Sequence, residues 1–234
     1  MAQHLDLEEQ EQLDQLKHFW NEYGNIISWV LILVFGAVAA WNGWQYWQRT
    51  QAAQAANLYD AVEQAVAAGD TVRVERAFAD IKDKFGRTTY AQQAGLLAAK
   101  TMADKGNADG AKAALAWVID KSGDEGYVAL ARLRLASLLL ESKSYDDALK
   151  QLASSFPPAF EGLASDRRGD VLQAQGKREE ARAEYIKAYK TVDERSEYRR
   201  LLEVKLSALG TDPKAIAPPP ASAASASASG TAKS

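Results

Sequence analysis

Hydrophobic and polar positions along this chain follow two regimes that change near Arg49. Between Glu22 and Arg49 no Asp, Glu, Lys, Arg or His occurs, and Ile26 to Trp44 is almost continuously apolar, interrupted chiefly by Ser28 and Asn42. As a helix that stretch covers roughly 28 Å at about 1.5 Å per residue, close to the ~30 Å of a bilayer's hydrocarbon core. Phe19, Trp20 and Tyr23 stand before it and Trp41, Trp44, Tyr46 and Trp47 at its exit, where amphipathic rings favour the headgroup boundary. The pattern predicts one transmembrane helix, placed at residues 25–47. A cleaved signal peptide also carries an apolar run, and Ala37-Val38-Ala39 offers small residues for cleavage. Such a peptide starts basic, whereas Met1 to Glu22 sets Asp6, Glu8, Glu9, Glu11, Asp14 and Glu22 against Lys17. A buried core helix would need neither aromatic ends nor an apolar surface on every side.

Beyond Arg49 the apolar positions recur at helical period, Ala, Leu, Glu, Gln and Lys dominate, and no run alternates as strands do. The prediction is an all-α domain over 48–210, with breaks near Gly69, Gly86, Gly106, Gly123 to Gly126, Ser144, Phe156 to Pro158, Gly176 and Gly210. Three registers recur within it. Ala77, Ala111, Ala148 and Ala181 lie 34, 37 and 33 residues apart; four residues after each comes Ile81, Leu115, Leu152 or Tyr185; twelve before each comes Ala65, Ala99, Ala136 or Gly169. Small residues on both helices of a hairpin let the backbones approach, and the large residue one turn on fills the neighbouring groove. One hairpin buries too little alone, so three or more stack. In the last three units a turn residue, Gly106, Lys143 or Gly176, stands five before the alanine; in the first, Ala53 to Phe85, Gly69 stands eight before Ala77. That unit reads as a repeat or as an N-terminal cap. Tyr198 to Leu209 reads as a capping helix, and Thr211 to Ser234, built of Pro, Ala, Ser and Gly, as a disordered tail. Within the leader, 1–24, Leu5 to Lys17 sets Leu5, Leu13 and Leu16 at near-helical spacing and reads as a short amphipathic helix or a solvated charged tail.

Charge and chemistry narrow the function. Lys and Arg total 28 against 31 Asp and Glu, net −3, so no general field gathers nucleic acid. Cysteine is absent and both histidines, His4 and His18, precede the span. No His/Cys cluster, phosphate loop or His-Glu-x-x-His helix occurs, and the Glu179, Glu180, Glu184 run lies among Lys177, Arg178, Arg182 and Lys187 as a solvated, ion-paired face does. The expectation is a protein without catalytic, cofactor or metal sites. Orientation stays open: within reach of the span only Lys17 before it and Arg49 after it count towards the inside-positive rule. Gly36-Ala37 and Ala39-Ala40 offer small residues for helix packing, and a homo-oligomeric envelope assembly protein is the alternative reading.

The period resembles tetratricopeptide repeats, with Gly169, Gly176, Ala181, Tyr185 and Ala188 as the best unit. Taken with the leader ending Leu16-Lys17-His18-Phe19-Trp20, then Gly24, then the exit Gly43-Trp44-Gln45-Tyr46-Trp47, the chain resembles the YfgM-like family of ancillary SecYEG translocon subunits over about residues 10 to 210. The resemblance implies a right-handed superhelix of hairpins behind a bacterial inner-membrane anchor, N-terminus cytoplasmic and repeat domain periplasmic. As partners it implies SecYEG, a membrane-anchored periplasmic chaperone of prolyl-isomerase type and translocating polypeptides. In such stacks the first helix of each pair lines a concave groove, and register places Gln93, Lys100, Leu130, Leu133, Ser137, Glu141 and Asp170 near it. The Lys and Asn clamp for a peptide carboxylate is not recognisable.

Overall fold

The computed structural model describes residues 7–193 and 195–216, and the expectations for His4 and for the tail beyond Ile216 lie outside them. Among the described residues the elements are all helices: α1 Leu7–Ala67, α2 Thr71–Phe85, α3 Thr89–Asp104, α4 Ala108–Lys121, α5 Glu125–Glu141, α6 Tyr145–Leu152, α7 Pro158–Ala174, α8 Arg178–Thr191, α9 Tyr198–Ala208 and α10 Pro213–Ile216. Every expected break is a helix boundary. The leader from Leu7, the apolar stretch and the start of the repeats share one helix, because Gln45 to Ala67 consists mostly of good helix formers and holds no Gly or Pro. The chain divides into two compact units between Gln54 and Ala55.

In the first unit the apolar side chains stand outward on all sides: Leu33 is 73% exposed and Phe35 67%. A core helix of a soluble protein would bury one face, so this surface needs an apolar solvent. Asn42 hides its amide by donating Nδ2 to the Val38 carbonyl at 3.0 Å. Gly24 is buried beneath the Trp20 indole, whose atoms lie 3.2 Å from where a Cβ would stand. The aromatic ends are clustered, Phe19 with Tyr23 at 5.2 Å and Trp44 with Trp47 at 5.4 Å between ring centroids.

In the second unit helix pairs repeat through one turn. Gly69, Gly106, Lys143, Gly176 and Gly210 all have positive φ, from 58° to 83°. Around each the chain closes the same way: the amide after the turn residue donates to the carbonyl five residues earlier, as in Asp70 to Ala65, Asn107 to Met102, Ser144 to Leu139, Lys177 to Leu172 and Thr211 to Leu206. This double-bonded left-handed ending satisfies the last helical carbonyls. Asp70 and Asn107 then cap the next helix, accepting from the amides of Arg73 and Gly110.

Turn geometry corrects the register of the first repeat. Counting five residues on from the turn gives Val74, Ala111, Ala148 and Ala181, all fully buried, whereas Ala77 is half-buried. Four further on stand Phe78, Leu115, Leu152 and Tyr185, and twelve before stand Val62, Ala99, Ala136 and Gly169, all buried. The first hairpin therefore follows the others, with Val62 and Val74 where they have small residues. Three apolar clusters run along the unit, one from Ala55 to Leu135, a second from Ala129 to Val171 and a third around Tyr185, Leu202 and Leu206. The tail, expected to start at Thr211, is helical at Pro213–Ile216, and Ile216, like Leu209, is partly buried against the third cluster.

Candidate functional site

Each first helix of a pair buries one face and leaves the opposite one open, and helical angle sorts the residues. On α3 the open face carries Tyr90, Gln93, Leu97 and Lys100; on α5 it carries Tyr127, Leu130, Arg134, Ser137 and Glu141; on α7 it carries Leu163, Arg167 and Asp170. Neighbouring helices are joined across it. Gln93 Nε2 donates to the Tyr127 hydroxyl at 2.7 Å, Arg134 Nη1 donates to the Leu96 carbonyl at 3.0 Å, and the Tyr59 and Tyr90 rings meet at 5.8 Å. Burial raises the Tyr59 hydroxyl above the ordinary tyrosine range, aided by the adjacent Glu63, and burial lowers the Arg134 guanidinium.

Six of the seven residues predicted for this face fall on or beside it, in different settings. Lys100 is exposed and pairs with Asp104 at 2.6 Å, Leu130 is half-buried against the first cluster, Ser137 donates to the Leu133 carbonyl at 3.0 Å, and Glu141 is exposed. Leu133 is the correction. It lies 8% exposed within the second apolar cluster, because its position on α5 points with Ala129 and Ala136 towards α6 and α7. Leu97, Arg134, Leu163 and Arg167 share the open face and were not among those predicted; one helical turn from Gln93, Leu130 and Asp170 reaches Leu97, Arg134 and Arg167, and a second turn from Asp170 reaches Leu163.

Asp170 belongs to a polar network where α7, α8 and α9 meet. Lys205 Nζ donates to Asp166 Oδ1 at 2.8 Å and to Asp170 Oδ1 at 2.6 Å, Arg167 Nη1 donates to Asp170 Oδ2 at 3.2 Å, and the Tyr198 hydroxyl bonds Asp166. The Tyr185 hydroxyl is 2.9 Å from Asp170 and 2.8 Å from Gln173. Burial, then the neighbouring aspartates, push the Tyr185 and Tyr198 hydroxyls far above the ordinary tyrosine range. Asp170, Gln173, Ala174, Tyr185 and Lys205 line a shallow open cavity of about 530 Å³. Its charges are already paired with one another, so the cluster clasps α9 to the stack.

A second clasp centres on Arg168, which donates to Glu184 and Glu161 at 2.9 Å, to Ser165 Oγ at 2.8 Å and to the Leu152 carbonyl at the end of α6 at 2.8 Å. Burial pushes the Glu184 carboxyl up, but hydrogen bonds and charge from Lys187 and Arg168 together outweigh it and hold the group below the ordinary carboxylate range. Among the described residues no group of three or more His, Cys, Asp or Glu side chains is placed to hold a metal ion. The arrangement presents partly exposed rings, amide and hydroxyl groups on a helical frame, groups able to make apolar and hydrogen-bonding contacts.

Among the described residues one helix is long and apolar enough to cross a membrane, near the N-terminus. A tetratricopeptide repeat-like domain model matches residues 17–211, span included. The chain is 34% identical to an ancillary SecYEG translocon subunit of Neisseria gonorrhoeae, over 89% of this chain and 100% of that one. It is 28% identical to the Escherichia coli protein of the same name, over 75% and 84% of the two chains, and 27% identical to that of Haemophilus influenzae, over 78% and 89%. Single apolar helix, helix hairpins closed by one repeated turn, and likeness along nearly the whole length agree: this chain belongs to the tetratricopeptide repeat-like, YfgM-like family of ancillary SecYEG translocon subunits.

Proposed function

We propose that this protein is a non-catalytic, membrane-tethered interaction scaffold of the bacterial inner membrane, ancillary to the SecYEG translocon. Residues 25–47 anchor it, the acidic leader lies in the cytoplasm, and the helical hairpins lie in the periplasm. There they meet a membrane-anchored chaperone of prolyl-isomerase type and polypeptides leaving the translocon. The first-helix face, with Gln93, Lys100, Leu130, Ser137, Glu141 and Asp170, is the contact surface. The observation that carries this reading is the pairing of an outward-facing apolar helix with a stack whose open face offers rings, amides and unburied charge. Orientation rests on the likeness to named translocon subunits, since Lys17 and Arg49 balance.

Photo-crosslinking amino acids introduced in living cells at Val30 and Val34 of the span, and at Lys100 and Glu141 of the open face, test it. The expected adducts contain a SecYEG subunit from the span and a periplasmic chaperone or translocating chain from the face; clean lanes at all four positions refute it. An enzyme active only outside the cytoplasm, fused after Ser234, is expected to be active. An inactive fusion reverses the orientation.

A further inference from the structure

The second-helix layer of the stack has a gap. Leu58, Gly95, Arg132 and Ser165 each stand eleven residues before their turn residue, Gly69, Gly106, Lys143 or Gly176. This position faces the second helices: a Cβ on Gly95 would lie 2.6 Å from Val118 Cγ2 of α4 and 3.2 Å from the Phe78 ring of α2, and Ser165 is buried. Val118 stands twelve residues after its turn residue, and the same place in the other hairpins is held by Ile81, Ser155 and Ala188. Ile81, Val118 and Ala188 are fully buried within their helices. Ser155 is exposed and outside any helix, because α6 stops at Leu152 after 8 residues where α2, α4 and α8 run for 15, 14 and 14. Pro157 disfavours helical backbone at Phe156, which brings this early end.

By the register of the repeat Arg132 stands beneath that gap, where two other hairpins have a glycine and a serine. It is half-buried, with Nε shut away from solvent and unbonded, while its terminal nitrogens reach the surface. Among the described residues it makes no hydrogen bond or ion pair. Other arginines of the first helices do: Arg134 donates to the Leu96 carbonyl, Arg167 to Asp170 and Arg168 to Glu184. Glu125, the acid on the same side of α5, stands two turns away. A buried donor without a partner lowers stability, and no bond within the chain offsets that here. The Ser154 and Ser155 hydroxyls, in the segment that replaces the missing turns, are likewise unbonded among the described residues.

We propose that this gap is a docking point for a partner protein that brings an Asp or Glu carboxylate to the terminal nitrogens of Arg132. Those two nitrogens form a fork that a carboxylate meets with two parallel hydrogen bonds, and a lone guanidinium balances its single charge. Ser154 and Ser155 can donate to the remaining carboxylate lone pairs. On α5 Arg132 points away from the open face that carries Leu130 and Arg134. The site is therefore a second contact surface, independent of the first-helix face.

The test places a photo-crosslinking amino acid at Ser155 of the full chain in living cells, with Lys100 on the first-helix face as the reference. Mass spectrometry of the Ser155 adduct is expected to find an Asp or Glu within a few residues of the joined position on the partner. Arg132→Met is expected to lower that adduct about tenfold or more, the loss of one buried arginine contact, and to leave the Lys100 adduct unchanged. Arg132→Glu combined with Arg in place of the partner's acid is expected to restore it. Purified in mild detergent, the Arg132→Met chain is expected to melt no lower than the parent by circular dichroism, since no bond within the chain is lost. No Ser155 adduct, an adduct indifferent to Arg132→Met, a partner segment without an acid, or a lowered melting temperature overturns the inference, the last by giving Arg132 a part in holding the fold. An Arg132-dependent Ser155 adduct without any Lys100 adduct keeps this inference and removes the first-helix face as a contact surface. A Lys100 adduct alone does the reverse.

Discussion

Gly169 sits where α7 crosses α8, and the structure gives it a measurable reason to be glycine. A Cβ there would lie 2.5 Å from Tyr185 Cε1 and 2.6 Å from Cδ1. The ring cannot swing aside cheaply: it is 1% exposed, and its hydroxyl is held by Asp170 and Gln173 at 2.9 and 2.8 Å. Gly169→Ala gains about 1 kcal/mol of helix propensity. Overpacking a fixed ring costs ~1–3 kcal/mol, and contact with two ring carbons at once falls in the upper part of that range. The expected net effect is a loss of about 1–2 kcal/mol, or a melting temperature lower by about 2–8 °C for a unit of this size. Thermal unfolding of the full chain in mild detergent, followed by circular dichroism at 222 nm, reads it. In a Tyr185→Leu background the ring is gone, and the same Gly169→Ala change is expected to be neutral or stabilising. A cost that is the same in both backgrounds would refute the argument that close packing requires this glycine.

Lys143 holds φ at 58° where the equivalent turns have glycine, so Lys143→Gly is expected to stabilise by about 0.5–1 kcal/mol, a rise in melting temperature in the same assay. Arg168→Ala leaves Glu184 with Lys187 alone and removes the partner of the Leu152 carbonyl, and is expected to cost ~1–3 kcal/mol at neutral pH, read from denaturant midpoints. Because the Glu184 pKa is depressed in the fold, its pairing stabilises above the unfolded value of about 4.3 and is lost as pH falls through the lower folded value; the acid limb of the stability curve should therefore be shallower in Arg168→Ala. Tyr185 and Tyr198 have raised pKa values, so the stability they contribute is complete below about pH 10 and is lost as pH rises beyond it. Alkaline titration at 295 nm should show these two ionising together with unfolding, and early, reversible ionisation of all tyrosines would contradict that.

How much of this was legible in the sequence depended on the range of each interaction. Helix boundaries were readable because Gly69, Gly106 and Gly176 must adopt positive φ and Pro158 must begin a helix, constraints that act within a few residues. The apolar helix was readable because a bilayer imposes length and continuity. The first repeat was misregistered by three residues: alanine is frequent, so Ala77 offered a plausible match, while the anchor that nature repeats is the left-handed turn, which selects Val74. Register placed Leu133 with Leu130 and Ser137, three and four residues away and so on one side of α5, yet it stands at the edge of that side, where the second apolar cluster closes over it, a long-range contact that spacing does not show. The clasp between Lys205 and Asp166, 39 positions apart, has no local signature at all.

The central claim is that the span and the hairpins together attach this protein to the translocon and do not serve merely to build its own oligomer. Extraction of bacterial membranes in mild detergent, purification through a tag after Ser234 and mass measurement of the intact complexes address it directly. The account predicts complexes whose mass includes SecYEG subunits; masses that are only multiples of the 25.5 kDa chain would contradict it.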